Sequence, residues 1–429
     1  MSDLRVLFVT PYYPPAHLGG VERAIERLAV ALRRERPGLQ ATVLTSHYSF
    51  PPRYVPGLPV REHRPEAAVV RWASRPRTPL PLFPYYSCPV TWFGPAALRR
   101  ILREVQPDIV HMVGDGWVWA HLALLALRPT RTALVFTPSF HRMTPSRQWL
   151  RLPNRLLCAG ADATIVLTPQ EQRDIALVYH APVRRTHLVP WGVDPPATPP
   201  WLLHPAEQYL EFASPACAMP PEPEPVRILC VGRLGQHKGQ RWLLETYAQA
   251  RQSFRQPAQL VFVGKDEGDA EPLRADVQRL GLQREVAILG EVSDAALQRE
   301  YALAGCFALF SQFEAFGLVF LEAMAQGVPV LTHRLGAGVG LLTAGAVVTA
   351  PYDRPAAVSA LSRLVNDATW RQRLGREGRD LVHGRYSWER CATGTLLAYE
   401  AALVRRQTNP LSPAVTASGS GASLPETPQ

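Results

Sequence analysis

Short apolar runs of strand type alternate with amphipathic stretches of helical spacing, and the alternation is played out twice along the chain. In the first half Arg5-Val-Leu-Phe-Val-Thr10, Ala41–Thr45, Ile109-Val-His-Met-Val113, Ala133–Thr137 and Ala163–Thr168 read as strands. Between them, Val21–Arg34 carries Ile25, Leu28, Ala29 and Leu32 at helical spacing, and Leu98–Val105 is also in helical register. In the second half Arg227–Val231, Gln259–Val263, Glu285–Leu289, Gly305–Phe310 and Pro329–Thr332 read as strands. Trp242–Arg251, Glu271–Leu280, Asp294–Ala304, Leu318–Gln326 and Ala356–Asn366 read as helices. Strands this apolar must be covered on both faces, which calls for parallel sheets flanked by helices. The expectation is α/β: two doubly wound, Rossmann-like units, with ligands held in loops just after strands, in the cleft between the units.

The 429 residues have room for two such domains. The first is placed at residues 1–195 and the second at 226–385. Residues 196–225, crowded with proline, form a linker with an insertion, and the Ser- and Pro-rich tail 407–429 is expected to be disordered. With 47% hydrophobic and 19% charged residues the chain as a whole is globular. Its net charge is +10, and residues 1–195 alone hold 24 basic and 13 acidic side chains, a net +11. That excess favours anionic partners such as phosphates or acidic lipid headgroups; no nucleic-acid-binding module is visible. The six cysteines form no C-x-x-C pair, which fits reduced, mostly buried thiols. Val6–Val9 is too short for the core of a signal peptide, and Leu335–Ala350 falls short of a membrane span. A cytoplasmic protein is expected, soluble or peripheral at the inner face of the membrane.

Three segments carry candidate chemistry. Val231-Gly-Arg-Leu-Gly-Gln-His-Lys-Gly239 follows a strand and precedes a helix. Gly232 is expected to let the backbone turn sharply, and Arg233 and Lys238 both reach a diphosphate from this loop, one as a planar fork and one as a point charge. Ser311–Pro329 places Glu314 in a loop and Glu322 one turn into the next helix. Between them Phe316, Gly317 and Leu318 sit at the helix N-terminus, where unpaired N–H groups bind phosphate. An ionised carboxylate accepts from two vicinal hydroxyls, so one of the pair suits a hexose and the other a ribose. The third segment, Pro11–Gly20, ends in Gly19-Gly20, which permits close approach of a ligand before a helix begins.

Together these segments resemble the retaining glycosyltransferases of family 4, which have the GT-B fold. The resemblance covers about residues 4–404, apart from the linker insertion, and is strengthened by Val189-Pro-Trp-Gly-Val-Asp194 and by Tyr386-Ser-Trp-Glu389. The latter looks like the start of the family's final helix, expected over 386–406 and crossing back onto the first domain. The resemblance implies transfer of a sugar from a nucleotide-sugar to a glycan, a lipid-linked or a small-molecule acceptor. It implies that Arg233 and Lys238 bind the donor diphosphate, Glu314 the transferred sugar and Glu322 the ribose. Gly19 and Gly20 would approach the donor phosphates, and Gly290, Glu291 and Val292 would lie beside the base.

Three departures stand out. Where the family commonly has a His, Ser139 follows Thr137-Pro, and His141, two residues further on, is the candidate to replace it. The family's Gly-Gly-x-Pro-Glu loop becomes Gly336-Ala-Gly-Val-Gly340. Its short Gly-x-Gly becomes Lys265-Asp-Glu-Gly-Asp269, in which Lys265 is an additional candidate phosphate contact. No D-x-D triplet or His/Cys cluster is present, so neither a metal nor a cofactor is expected beyond the nucleotide-sugar itself, a co-substrate. On the acceptor side, the aromatic and proline-rich Thr78–Phe93 reads as an acceptor wall or as a lipid-facing surface beside Arg142, Arg147, Trp149, Arg151 and Arg155. A GT-B epimerase or a catalytically silent nucleotide-sugar binder remains open as the alternative.

Overall fold

The structure, a computed structural model, describes residues 3–15, 20–49, 53–72, 95–114, 118–139, 151–194 and 224–408. The strands of the first half are β1 (Arg5–Val9), β2 (Gln40–Ser46), β3 (Tyr48–Ser49), β4 (Arg53–Tyr54), β5 (Arg61–His63), β6 (Ala68–Trp72), β7 (Ile109–Val113), β8 (Ala133–Thr137), β9 (Ala163–Val166) and β10 (Thr186–Leu188). Those of the second are β11 (Val226–Val231), β12 (Ala258–Val263), β13 (Val286–Gly290), β14 (Cys306–Ala308), β15 (Val330–His333) and β16 (Ala346–Thr349).

Among the described residues the first sheet has the order β10-β9-β8-β7-β1-β2-β6-β5, parallel except for the edge strand β5, while β3 and β4 make a separate antiparallel ribbon. The second sheet has the order β13-β12-β11-β14-β15-β16, parallel throughout. In each sheet the chain starts in the middle and then winds both ways. Leu7 of β1 pairs with Thr42 on one side and Val110 on the other; Ile228 of β11 pairs with Leu260 and Cys306. The order therefore reverses between β1 and β7, and again between β11 and β14. A crevice opens beyond the carboxyl ends of the strands at each such switch point. Every residue of β7 and β8 is buried, as continuous apolar strands covered on both faces require.

All ten expected strands form, to within a few residues. Six of the described strands escaped the pattern: β3, β4, β5, β6, β10 and β16. β5 and β6 carry charges that break an apolar run. Arg71 of β6 is fully buried, its guanidinium 2.5 Å from Glu62 Oε2 and donating to the Pro14 carbonyl at 2.7 Å. A charge paired in this way sits within a strand at lower cost than an unpaired one, but looks like a surface residue in the sequence.

The helix Trp388–Thr408 packs against the helix Gly20–Glu35 and against β8, β9 and β10. His111 of β7 holds it from beneath, with Nδ1 2.7 Å from the Tyr399 hydroxyl and Nε2 2.8 Å from Thr137 Oγ1. The two tryptophan segments singled out above meet at its start. A Cβ on Gly192 would lie 2.4 Å from the Trp388 nitrogen, and the Val193 N–H donates to the Tyr386 carbonyl at 2.9 Å. Cys158, Cys230, Cys306 and Cys391 are buried and unbridged. Thr78–Phe93 and most of the proline-rich linker lie outside the described residues.

Candidate active site

The second switch point gathers the loops after β11 and β14. The first runs through a single 3-10 turn, Gln236–Lys238, and ends at Gly239, whose φ of 71° starts the helix Gln240–Ala250. A Cβ on Gly239 would lie 2.3 Å from the Phe310 carbonyl oxygen in the second loop, so only glycine allows the loops to touch. The Gln312 N–H donates to the His237 carbonyl at 2.8 Å and completes the contact. Its result is that Lys238 Nζ donates to Glu314 Oε1 at 2.6 Å, with both side chains largely buried.

The glycine that permits the tight packing is not Gly232. That residue has no left-handed φ, and a Cβ there would make ordinary contact, 3.8 Å from Lys238 Cδ. The crowded position is Gly264 on the neighbouring strand's exit, where a Cβ would lie 2.0 Å from the Gly232 carbonyl oxygen. Arg233, the other expected diphosphate ligand, pairs with Glu267 from the segment after Gly264.

Gly317, at φ 80°, begins the helix Leu318–Ala325 and adds no side-chain cap, so first-turn N–H groups stay available to a ligand. The loop Gly336–Gly340 runs along its approach. A Cβ on Gly338 would lie 2.2 Å from the Phe316 carbonyl oxygen and one on Gly336 2.6 Å from the Glu314 nitrogen, while the Gly338 N–H donates to the Glu314 carbonyl at 3.2 Å. This loop thus supports the Glu314 backbone. Glu322 lies on the helix itself and accepts from the Tyr301 hydroxyl at 2.8 Å. Burial raises the Glu322 carboxyl above the ordinary carboxylate value and pushes the Tyr301 phenol well above its own.

The first unit faces these loops directly. A Cβ on Gly20 would lie 2.9 Å from Leu318 Cδ1, and Arg23 pairs with Asp294 at 2.8 Å. Trp191 meets the buried Phe316 edge to face, 5.5 Å between centroids. Gly290 has a φ of 70° with open space beside it; Glu291 next to it is exposed and Val292 half-buried. Gly19 and His141 lie outside the described residues. Ser139, at the carboxyl end of β8, is buried with φ 49°.

Residues 219–381 match the family model of glycosyl transferases group 1, and residues 18–196 match that of glycosyltransferase family 4. The chain belongs to the family 4 glycosyltransferases. Its pair of facing α/β units is the GT-B fold of that family. Within it, the chain is 29% identical over 252 residues to the D-inositol 3-phosphate glycosyltransferase of Segniliparus rotundus, covering 58% of this chain and 54% of that protein. It spans a similar share, 45%, of an uncharacterised glycosyltransferase from Methanocaldococcus jannaschii, so it matches about half the length of these relatives. Among solved structures, sucrose-phosphate synthase from Thermosynechococcus elongatus superposes with a TM-score of 0.73 at 22% identity, over 94% of this chain and 99% of that one. Anabaena HepE in complex with UDP and glucose gives 0.68 at 17% identity, over 93% and 100%. At these identities the two structures speak to the glycosyltransferase's fold.

Sequence reasoning missed Tyr301 and Glu267, which pair with the candidate residues Glu322 and Arg233. Glu267 lies in the segment Lys265–Asp269, where the sequence points to Lys265 instead. Lys265 accepts from the Leu234 N–H through its carbonyl, at 2.8 Å. Nothing in the sequence marks Tyr301, which is brought to Glu322 only by packing of the helix Asp294–Leu303 against the sheet.

Proposed function

We propose that the chain moves a hexosyl unit from a nucleotide-sugar to a carbohydrate, lipid-linked or small-molecule acceptor, with retention of anomeric configuration and without a metal ion. The observation that carries this reading is the meeting of Lys238 and Glu314 at the switch point. When a donor enters, its diphosphate takes over Lys238 and Arg233, and Glu314, released from Lys238, accepts from the sugar hydroxyls. Glu322 holds the ribose. The bond from the anomeric carbon to the phosphate oxygen breaks, and the acceptor oxygen bonds to the same face. The departing phosphate takes the acceptor's proton. Charge developing on the diphosphate meets two cationic side chains and a helix N-terminus, which do the electrostatic work a metal would do elsewhere. Family membership and the UDP-bound HepE relative support a nucleotide-sugar as donor.

The test is turnover of UDP-, GDP- and ADP-sugars with and without added acceptors, in EDTA, with the product anomer assigned by NMR. A transferred sugar of the donor's configuration is expected. Loss of activity in EDTA that Mg²⁺ restores would end the metal-independent reading. An epimerised nucleotide-sugar formed without acceptor points to an epimerase, and binding of all donors without any product to a silent binder.

A membrane-facing acceptor side is a second reading with an observation of its own. The helix Arg151–Gly160 exposes Arg151 and Arg155 together with Leu152 and Leu156, at 65% and 49% exposure for the leucines. Basic and apolar groups on one exposed face suit an anionic lipid surface. Arg142, Arg147 and Trp149 fall outside the described residues. Among the described residues no helix is long and apolar enough to cross a membrane.

A further inference from the structure

Glu267 belongs to the segment Lys265–Asp269, which departs from the family pattern, and it faces the diphosphate loop at close range. The segment cannot drift away from that loop. The Leu234 N–H donates to the Lys265 carbonyl at 2.8 Å and the Glu267 N–H returns a bond to the Leu234 carbonyl at 2.9 Å. Beyond it, Asp266 Oδ1 accepts from the N–H groups of Gly268, Asp269 and Ala270 at 2.8, 3.1 and 3.0 Å and fixes the turn into the next helix. From this rigid base the Glu267 carboxylate pairs with the Arg233 guanidinium, with the Glu267 side chain 14% exposed and that of Arg233 29%. It also lies over the loop backbone: a Cβ on Gly235 would be 3.3 Å from Glu267 Oε2.

We infer that Glu267 is an internal counter-ion that competes with the donor diphosphate for Arg233 and thereby sets nucleotide affinity. The inference rests on the reading of Arg233 and Lys238 as diphosphate ligands. Its physical basis is that a carboxylate and a diphosphate ask the same thing of a guanidinium: parallel N–H donors and positive charge. A group already holding them must be displaced before an entering anion takes full benefit. Because the backbone of Glu267 is pinned, displacement is a side-chain rotation, and the carboxylate remains near the bound anion as a repulsive charge in a half-buried loop. A carboxylate in this place weakens product-like diphosphates as well as donors, and so favours release of the nucleoside diphosphate after transfer.

The experiment measures binding of UDP, GDP and ADP by calorimetry to wild type, Glu267→Gln, Arg233→Ala, Lys238→Ala and the double variant Arg233→Ala/Glu267→Gln. Circular dichroism and thermal unfolding report whether each variant is folded. For the nucleotide that binds best, Glu267→Gln is expected to tighten binding at least threefold. In the Arg233→Ala background the same change should give less than half of that gain, since its effect runs through the guanidinium. Unchanged or weaker binding in a folded Glu267→Gln protein overturns the inference and makes Glu267 a mere support for Arg233. An equal gain with and without Arg233 overturns it too, since the effect is then general charge. Should none of the nucleotides bind wild type, or should Lys238→Ala and Arg233→Ala both bind as wild type does, the site reading itself fails and the counter-ion role falls with it. Weakening by those two variants with no gain from Glu267→Gln isolates the failure to the inference.

Discussion

Lys238 and Glu314 stand 76 residues apart in the chain, yet Lys238 Nζ donates to Glu314 Oε1 at 2.6 Å. Their loops leave β11 and β14, the neighbouring strands between which the second sheet reverses its order. The pair keeps a cation and an anion in place and mutually neutral before any ligand arrives, which offsets the cost of burying either alone. A diphosphate on one side and a hydroxylated ring on the other can each exchange with one member.

Removing either member leaves the other charge buried without its partner, which costs stability, and should remove the chemistry in protein that still folds. Lys238→Ala is expected to cost about 3 kcal/mol of transition-state stabilisation, near a 100-fold loss of kcat, on the scale of one lost electrostatic donor. Glu314→Gln keeps the shape and loses the charge, and should lower turnover comparably. Steady-state kinetics with a confirmed donor checks both; wild-type rates in both variants would remove these residues from the site.

Gly239 is expected to tolerate no side chain. Its φ of 71° and the 2.3 Å approach of a Cβ to the Phe310 carbonyl oxygen mean that Gly239→Ala must push the β11 and β14 loops apart. The expected loss is about 2–4 kcal/mol of stability, for a strained backbone plus a steric clash. Gly340→Ala, where a Cβ meets nothing within 4 Å, is the control. Urea unfolding of the two variants should differ, and equal midpoints would contradict the loop contact.

Glu322 should trade stability for binding. Burial raises its folded-state pKa above the usual 4.5, so the folded protein holds this proton more tightly than the unfolded chain does. Stability from this group is present below the unfolded value and declines as pH rises through the raised folded value. Glu322→Gln removes that decline, while its amide oxygen still accepts from Tyr301. The stability difference between variant and wild type is expected to shift in the variant's favour from pH 4 to pH 8, while nucleotide binding weakens. Urea titrations at the two pH values decide it: a constant difference would mean that the carboxyl does not titrate abnormally.

If the helix Arg151–Gly160 meets lipid, the protein should float with anionic vesicles at low salt and partly leave them at high salt, since each basic contact contributes at most about 1 kcal/mol. The exposed Leu152 and Leu156 add apolar insertion that salt does not remove. Leu152→Glu/Leu156→Glu should abolish the salt-resistant fraction. Equal recovery with neutral vesicles, or none with either, would leave an acceptor free in solution.

The sequence by itself determined the two α/β units and the main strands, because a strand buried on both faces must be continuously apolar and a covering helix must repeat its apolar residues every three to four positions. It also pointed to Arg233, Lys238 and Glu314 as candidates, in loops that follow such strands, and to Glu322 on the helix after the second loop. It hid β5 and β6, where Glu62 and Arg71 neutralise each other inside the fold and leave no apolar run to read. Who pairs with whom was decided only in three dimensions. Glu314 reaches Lys238 and Glu267 reaches Arg233 because parallel strands bring distant loops to one edge, and Tyr301 reaches Glu322 because two helices pack on the same sheet. The glycines that matter there, Gly239 and Gly264, are fixed by carbonyl oxygens of other segments. A hydrophobic period records which face of an element is buried; it carries no record of the partner across the crevice, which the strand order alone supplies.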